Sequence, residues 1–201
     1  LSYSGDAAQA LTILQSGYDL CRRAEANLFI PVLAALLGGC MLRLGRLDEA
    51  DRLLSGAIEA AELSGHVVSK TAAVGVLAAV QLAQGRAEDG FRIASEAKSA
   101  AAQFGHRAVE ISATHVLAQC AAALDPLDFV RPMFLLRSAI ESAEEIGAAP
   151  AAVACCETAQ RIALAHGRRS DAVDFDRRAV AIAERAGWRA AATRFRALLE
   201  A

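Results

Sequence analysis

Residues 33–54 read Leu33-Ala-Ala-Leu-Leu-Gly-Gly-Cys-Met-Leu-Arg-Leu-Gly-Arg-Leu-Asp-Glu-Ala-Asp-Arg-Leu-Leu54. The part before Gly45 is nearly uncharged. The part after it places Leu47, Ala50 and Leu54 on one stripe, with the charged residues mostly on the other side. Apolar residues at three- and four-residue intervals on both sides of a glycine are typical of two helices joined by a glycine C-cap. The pattern predicts a helical hairpin with a buried first helix and an amphipathic second helix.

The same hairpin pattern recurs along the chain. Turn formers that match Gly45 stand at spacings of 40 or 42 residues, and they are Gly5, Gly85, Asp125 and Gly167. A second series is offset from the first by 20 or 22 residues, and it consists of Gly65, Gly105, Gly147 and Gly187. Regular cuts between Ala- and Leu-rich segments are typical of stacked hairpins, in which neighbours supply one another's core. We predict an all-α, right-handed α-solenoid of about nine antiparallel helices without a β-sheet.

The glycine series also predicts the repeat boundaries. We expect a single repeat domain over 1–201, with a partial unit over 1–27, full units over 28–65, 66–105, 106–147 and 148–187, and a capping helix over 188–201. Pro132 should lie in the first turn of a late-starting helix, and Pro31 and Pro150 also suit helix starts. Because the chain starts at Leu1 and Gly5 matches a mid-hairpin turn, we expect either a segment cut from a longer solenoid or a solenoid that starts with an unpaired helix.

Composition and charge argue against several classes of protein. Apolar residues make up 55% of the chain, charged residues 22% and aromatic residues 5%, and the formal net charge is −2. This balance is not that of a disordered chain or of a polyelectrolyte binder. The longest uncharged stretch, Ala26–Leu42, is shorter than the roughly 20 residues that a membrane helix needs, and Pro31 interrupts it. We therefore expect no membrane contact.

The cysteines favour a reducing, cytoplasmic setting. Five are present, at Cys21, Cys40, Cys120, Cys155 and Cys156, without CxxC or Cys/His ligand spacing. An odd number without such spacing favours free thiols over a disulfide framework. The adjacent pair is open to interpretation as a redox switch. Core filling is favoured, because neighbouring helical side chains point about 100° apart.

Catalytic and metal-binding motifs are not found in the sequence, since GxxxxGK[ST], GxSxG and HExxH do not occur. His66 and His106 hold equivalent positions after second-series glycines. Neighbouring helices lie about 8–10 Å apart, whereas two imidazoles on one zinc ion need nitrogens within about 4 Å, so a structural or capping role is favoured. We predict no cofactor, no metal and no enzymatic activity. An enzyme built on Cys155, Cys156 or His115 is disfavoured, because no nucleophile has a base at recognisable spacing.

Basic residues concentrate at the C-terminal end: from Arg161 onward the sequence has nine arginines and five acidic residues. Two interpretations stay open. The excess either docks an acidic partner or nucleic acid, or forms the charged outer face of a capping helix, and the second is favoured. Nucleic acid is thus a disfavoured partner. Trp188 is predicted to anchor the final helix, Ala190 to Leu199.

Two resemblances to known families are carried by these motifs. The run Leu37-Gly38…Met41…Gly45-Arg-Leu-Asp-Glu-Ala50…Leu54…Ala57 resembles a tetratricopeptide repeat, with small residues where the helices cross and a glycine at the turn. More narrowly, the order of features resembles the C-terminal repeat region of bacterial signalling proteins that join a nucleotide cyclase domain to an ATPase module. The matching stretches are Gly5-Asp-Ala-Ala-Gln-Ala-Leu11, Leu20-Cys21-Arg22, Pro31-Val32, Gly45-Arg-Leu-Asp-Glu-Ala50, Asp125-Pro-Leu-Asp128 and Ala143-Glu-Glu-Ile-Gly147.

The narrower resemblance implies a non-catalytic regulatory scaffold inside a multidomain signalling protein of the cyclase–ATPase type. Its partner would be a protein, a peptide or other domains of the parent chain. Similar repeat regions occur on ATPase-linked transcription regulators, which implies the alternative of a ligand-sensing repeat domain.

The tetratricopeptide resemblance also implies that the first helix of each hairpin lines a concave groove. Counted from the turns, the groove positions are Val32, Ala35, Gly39, Leu42, Arg43, Ala72, Gly75, Ala79, Leu82, Ser112, His115, Gln119, Ala122, Ala154, Glu157, Arg161 and Leu164. Family members that clamp a peptide carboxylate use several Lys, Arg and Asn there, which the first half of this groove lacks. An apolar groove suits a partner helix, whereas small residues that only allow close helix packing are the alternative. Both interpretations stay open.

The first helix, expected from Ala7 to about Ala26, predicts self-association. If the helix that should cover it is missing, its stripe of Ala10, Leu11, Leu14 and Tyr18 is exposed. A two-fold contact between copies is the simplest way to bury that stripe. We expect a dimer through this helix, with a monomer that rotates or frays the helix as the alternative.

Overall fold

The computed structural model describes residues 7–65 and 67–199, and within these ranges it holds ten helices and no strand. The helices are α1 (Ala7–Arg23), α2 (Ile30–Arg43), α3 (Leu47–Leu63), α4 (Val67–Ala83), α5 (Ala87–Gln103), α6 (Arg107–Leu124), α7 (Val130–Glu145), α8 (Ala149–Ala165), α9 (Arg169–Arg185) and α10 (Arg189–Leu199). The predicted all-α helical-repeat fold is confirmed, with ten helices instead of about nine. The predicted turn at Gly5 lies outside the described residues.

The chain divides into two compact units, with unit 1 ending at Val109 and unit 2 beginning at Glu110. A single repeat domain with a right-handed course therefore stays a prediction. In the described ranges, no helix combines the length and the apolar character that a membrane span requires.

Glycine turns end most of the helices. Among the described residues, seven glycines have φ between 68° and 80°: Gly45, Gly65, Gly85, Gly105, Gly147, Gly167 and Gly187. At the first of them, the Gly45 amide donates to the carbonyl of Leu42 at 3.1 Å, and the Arg46 amide donates to that of Met41 at 2.9 Å. This Schellman pair of hydrogen bonds satisfies carbonyls of the last helical turn. The predicted glycine C-caps are confirmed at all seven positions.

The turn between α6 and α7 uses aspartates in place of glycine. The Asp125 carboxylate accepts a hydrogen bond from the Leu127 amide at 3.2 Å. The Asp128 carboxylate accepts hydrogen bonds from the amides of Val130 at 2.9 Å and Arg131 at 3.1 Å, which caps the start of α7. Pro132 then lies in the first turn of α7, as the sequence predicts.

The core of unit 1 forms where the hairpin helices cross. Its buried cluster consists of Ala35, Met41, Ala50, Leu54, Ala73 and Val80. Gly38 of α2 faces Leu54 of α3 so closely that a Cβ placed on Gly38 would lie 2.8 Å from Leu54 Cδ1. A Cβ placed on the next residue, Gly39, would have no neighbouring atom within 4 Å. Only Gly38 is therefore required by the crossing of the two helices.

The neighbouring hairpins of unit 1 are joined by a polar clamp. Asp51 of α3 accepts hydrogen bonds from the Arg86 guanidinium at 2.7 Å and from the Gln81 amide at 3.3 Å. Gln84 also donates to Asp48 at 3.1 Å. Gln81 is 7% exposed, so the clamp reaches into the interior. These contacts fix the second hairpin against the first in one register.

The core of unit 2 is larger and contains helices α6 to α10. Cys155 and Cys156 are 1% and 0% exposed in it, which confirms their interpretation as core-filling thiols. Burial raises the pKa of each thiol to about 12. Trp188 packs against the same core, which includes Ala191, Ala192 and Phe195 of α10, so its predicted role as a packing anchor is confirmed.

The α8–α9 hairpin of unit 2 has a polar pair, Gln160 and Asp176, at a crossing that is apolar in the α2–α3 hairpin. Asp176 of α9 stands nine residues after Gly167, as Leu54 stands nine after Gly45. Asp176 is only 4% exposed, and its Oδ1 has no hydrogen-bond partner among the described residues. Burial raises the pKa of the Asp176 carboxyl, and a hydrogen bond with Gln160 opposes that shift. The α8–α9 crossing is therefore less favourable than the equivalent apolar one.

The exposed stripe predicted on α1 is wrong in its position. Ala10 is 5% exposed and Leu11 packs against the unit 1 core, while Leu14 and Tyr18 are half-buried. The reason is that α2 already covers this face. The exposed apolar residues of α1 are instead Ile13 at 56% and Leu20 at 59%. Dimerisation through α1 stays a prediction, and it would have to involve that second face.

The two adjacent glycines of α2 provide a matched test of the crossing. Gly38→Ala is expected to lower the free energy of unfolding by about 1–3 kcal/mol, because the new methyl group overpacks against Leu54. Gly39→Ala is expected to raise it by about 0.5–1 kcal/mol, because alanine loses less backbone entropy in a helix. Urea titration of both variants measures the difference. Equal effects would contradict a close contact at Gly38.

The buried carboxylate of α9 provides a second test. Asp176→Asn is expected to stabilise the protein by about 1 kcal/mol at pH 7, because it removes a poorly compensated buried charge. The folded pKa of Asp176 is raised, so the penalty is absent in acid and grows as the pH rises through that pKa. The gain should therefore shrink between pH 7 and pH 4 in urea titrations. Asp174→Asn, at an exposed position of the same helix, is the control with almost no expected effect.

Candidate interaction surface on the first helices

The predicted groove positions of α2 are only partly exposed. Val32 is 41% exposed and Arg43 is also exposed, while Gly39 and Leu42 are half-buried. Ala35 is 7% exposed and belongs to the core, so its predicted groove position is wrong. Leu36, 48% exposed, takes its place, because residues 32, 36, 39 and 43 share one helix face.

In α4 the same positions are covered to a greater extent. Ala72, Ala79 and Leu82 are half-buried, and Gly75 is buried, which makes its predicted groove position wrong as well. The first-helix face of unit 1 therefore offers small and apolar side chains with little polar chemistry.

The first-helix face of unit 2 is different, because it carries a hydrogen-bonded network centred on Thr158 of α8. The His115 Nε2 atom lies 2.8 Å from Thr158 Oγ1. Gln119 Nε2 donates to the same hydroxyl at 3.4 Å, and the Arg161 guanidinium donates to it at 3.3 Å. Thr158 itself is 4% exposed. Three of the predicted groove residues thus meet at one buried hydroxyl.

The donors around Thr158 determine the tautomer of His115. An amide nitrogen and a guanidinium can only donate, so Gln119 and Arg161 occupy both lone pairs of the hydroxyl oxygen. With these two donors in place, the hydroxyl proton points to His115 Nε2, which favours a neutral ring with its proton on Nδ1. In agreement, burial and the nearby Arg161 charge lower the pKa of His115 to about 4.

The other predicted positions of unit 2 surround this network. Glu157 of α8 is half-buried and pairs with Arg194 of α10 at 3.4 Å. Leu164 is 49% exposed and Ser112 is also exposed, whereas Ala122 and Ala154 are half-buried. The surface thus combines polar side chains held in place by neighbouring helices with small and apolar residues.

Two residues of this surface are not among the sequence-derived positions. Thr158 stands nine residues before Gly167, as the exposed Leu36 stands nine before Gly45. Arg194 stands seven residues after Gly187, as Ala154 stands seven after Gly147. The spacing from the turn glycines therefore locates both residues: Thr158 is equivalent to Leu36, and Arg194 is equivalent to Ala154 in the next first helix, α10.

The basic C-terminal end is largely neutralised by ion pairs. Six of its nine arginines pair with carboxylates: Arg168 with Asp171, Arg177 with Asp174, Arg178 and Arg185 with Glu144, Arg194 with Glu157 and Arg196 with Glu184. Such pairs leave little free positive charge for a polyanion, which supports the interpretation as a charged outer face.

The described side chains form no evident catalytic centre. Cys155 and Cys156 do not reach solvent, and His115 uses its free nitrogen to bind Thr158. No group of three or more His, Cys, Asp and Glu in the described part of the chain is arranged to hold a metal ion. Of the two histidines considered as ligands, His66 lies outside the described residues, and His106 lies beside Phe104 with 6.3 Å between ring centroids.

Comparison with known proteins identifies the fold. No protein-family model matches the sequence. The curated proteins contain no match either. Among solved structures, the chain is similar to BtubC (BKLC) from P. vanneervenii, with a TM-score of 0.67 and 15% identity over 90% of this chain and 75% of that one. It is also similar to the "Podosopora anserina putative kinesin light chain nearly identical TPR-like repeats", with a TM-score of 0.57 and 18% identity over 87% and 77%. A variant of that repeat protein is similar with a TM-score of 0.59 and 16% identity over 92% of this chain and 91% of that one. The chain therefore has a tetratricopeptide-like helical-repeat fold.

The neutral His115 makes a pH-dependent contribution to stability. Between its unfolded pKa of about 6.5 and its folded pKa of about 4, the unfolded chain binds a proton that the folded chain does not. Lowering the pH from 7 to 4 should therefore reduce the free energy of unfolding by up to about 3 kcal/mol through this group. The His115→Gln variant should not show this loss, since glutamine places an uncharged amide near the Nε2 position. Urea titrations of both proteins across this range, and NMR titration of the His115 ring, provide the measurement. Parallel stability curves, or a midpoint near 6.5, would contradict the buried network.

Proposed function

We propose that this chain is a non-catalytic interaction scaffold that binds a protein or peptide segment on the first-helix face of unit 2. The observation that carries the proposal is the Thr158 network, in which His115, Gln119 and Arg161 are held on neighbouring rigid helices. Side chains fixed in this way bind at little entropic cost, because they are ordered before a partner arrives. Helical-repeat proteins commonly use such extended surfaces for partners.

The chemistry of the surface suits an extended polypeptide. Arg161 is exposed, and within the described ranges its guanidinium makes one hydrogen bond, at 3.3 Å to Thr158, so its other donors can bind a carbonyl or carboxylate. The Gln119 amide donates inward, which leaves its Oε1 as an acceptor for a peptide N–H. Leu164 and the neighbouring alanines offer apolar contact beside these groups.

A small-molecule sensor is the alternative function that the sequence resemblance implies. Small ligands usually bind in concave, largely enclosed pockets. Cavities of about 210, 310 and 470 Å³ in the described part of the chain are lined by residues other than the predicted groove positions. We favour the peptide-binding interpretation, because the Thr158 network that carries it lies outside these cavities on the first-helix face.

The cellular context is also part of the proposal. The sequence resemblance supports a regulatory repeat region of a bacterial cyclase–ATPase signalling protein in the cytoplasm, whose partner is another protein or another domain of the same parent. The free thiols suit such a reducing compartment. The full coding sequence tests this context: cyclase and ATPase domains in the same product support it, and a product with neither contradicts it.

Peptide selection tests the binding surface. A displayed library of random 12-residue peptides is panned on the chain, and enriched peptides are titrated by fluorescence anisotropy. Arg161→Glu is expected to weaken binding at least tenfold, because it reverses the charge that faces the peptide. Arg177→Glu, an equally drastic change on an exposed part of α9, should leave binding unchanged. Failure to enrich any peptide that depends on Arg161 would refute the proposed surface.

A further inference from the structure

The Thr158 network contains hydrogen bonds whose direction a single proton can reverse. His115 Nε2 lies 2.8 Å from the Thr158 hydroxyl oxygen. Gln119 Nε2 and a guanidinium nitrogen of Arg161 lie 3.4 and 3.3 Å from the same oxygen. Thr158 is only 4% exposed, so its hydroxyl cannot exchange these partners for water without a cost in free energy. The groups that point at this hydroxyl therefore share protons and lone pairs among themselves.

A neutral His115 with its proton on Nδ1 sets one direction for each bond. The hydroxyl oxygen accepts from Gln119 and Arg161 at its two lone pairs, and it gives its own proton to His115 Nε2. The Gln119 amide then has its NH2 group inward and its Oε1 turned away from Thr158. Gln119 is half-buried, so the outer end of the amide is accessible to a partner. In this state Gln119 accepts a hydrogen bond from a partner N–H.

A second proton on the His115 ring makes this arrangement impossible. Both nitrogens of an imidazolium donate, so the Thr158 hydroxyl has to accept from His115 and give its own proton to another group. The Arg161 guanidinium has no acceptor atom. Within the network, only the Gln119 amide can change from donor to acceptor, which it does by a half turn about its last bond. Its Oε1 then points inward and its NH2 group points outward.

The surroundings of His115 in unit 2 hold no carboxylate that would compensate its proton. Within the described residues, Arg161 of α8 is the charged group that acts on the ring, and burial and this charge lower the pKa of His115 to about 4. On α6 itself the sequence carries no acidic or basic residue from Ile111 to Leu124 apart from His115. The residues that α7 buries are apolar, and Glu157 of α8 is paired with Arg194 of α10. The buried thiols of α6 and α8 stay neutral, because burial raises the pKa of each to about 11 or 12.

We propose that Gln119 sets the hydrogen-bond specificity of the peptide-binding surface, and that protonation of His115 reverses Gln119 from acceptor to donor through the Thr158 hydroxyl. This inference rests on the proposed function, because it assigns one group of the partner to a side chain of that surface. With His115 neutral, the partner presents an N–H to Gln119, and with His115 charged, it presents a carbonyl. A partner carboxylate on Arg161 offsets the charge beside His115, so such a partner favours the second state.

Nuclear magnetic resonance on the whole chain tests the reversal without any partner. Nitrogen shifts of the His115 ring give its tautomer and its titration, and the nuclear Overhauser effect (NOE) between the Gln119 NH2 protons and the Thr158 methyl group gives the direction of the amide. At pH 7 we expect a proton on Nδ1 and a strong NOE. The NOE should weaken severalfold with the same midpoint as the His115 titration, while circular dichroism shows that the helices persist. His115→Gln removes the titration and should keep the NOE at every pH.

A peptide measurement at pH 7 tests the partner group. In a peptide selected for its dependence on Arg161, each backbone N–H is replaced in turn by an N-methyl group, and binding is measured by fluorescence anisotropy. One replacement is expected to weaken binding about fivefold, which is the loss of one hydrogen bond. That loss should disappear in Gln119→Met, because the thioether is a poor acceptor of similar length. Gln103→Met, at an exposed glutamine of α5, is the matched control and should leave the loss unchanged.

The outcomes distinguish this inference from the proposed surface. An NOE lost on titration of His115, together with one N-methyl loss that Gln119→Met abolishes, supports it. An NOE that survives the titration overturns it, because Arg161 is then the group that yields. A proton on Nε2 at pH 7 overturns it, as does a chain that unfolds before His115 takes up its proton, or an N-methyl series with no position that depends on Gln119. The absence of any peptide dependent on Arg161 overturns the proposed surface and the specificity assigned to Gln119, whereas the free chain alone decides the reversal.

Discussion

The glycine C-cap is the constraint on which the rest of this chain depends. Most of the described helices reverse direction within about three residues, and the left-handed conformation at such a turn is one that only glycine adopts without strain. The two hydrogen bonds across Gly45 close the end of α2 and aim α3 back along it. Two turns between described helices lack glycine. After α1, Glu25 takes the left-handed conformation with a φ of 53°, and the Ala26 amide donates to the Cys21 carbonyl at 2.9 Å. At Asp125, side-chain carboxylates accept the hydrogen bonds instead.

The same constraint explains what could be predicted from the sequence. Glycine spacing locates the turns, and apolar periodicity fills the intervals with helices, so α10 was expected at Ala190 to Leu199 and runs over Arg189–Leu199. Both signals are local, and they depend only on backbone geometry and on burial along one helix. The fold class follows from them without any knowledge of how the helices pack.

The orientation of each helix about its axis was harder to predict, because it is set by neighbours. Helix α2 is apolar on nearly every side, so spacing alone did not show that Leu36 faces solvent and Ala35 faces the core. In the same way, α1 offered two apolar faces, and α2 decides which one is covered. The candidate surface depends on such contacts: Thr158 becomes its centre only because α6 brings His115 and Gln119 to it.

The clamp between Asp51, Arg86 and Gln81 has a consequence for how such a chain evolves. Duplication of the module that holds α2 and α3 would keep an arginine opposite Asp51, because Arg46 follows Gly45 as Arg86 follows Gly85. Deletion of the module that holds α4 and α5 would remove that arginine, because Pro126 follows Asp125 at the equivalent position. At this point of the array the clamp therefore tolerates an added module better than a lost one.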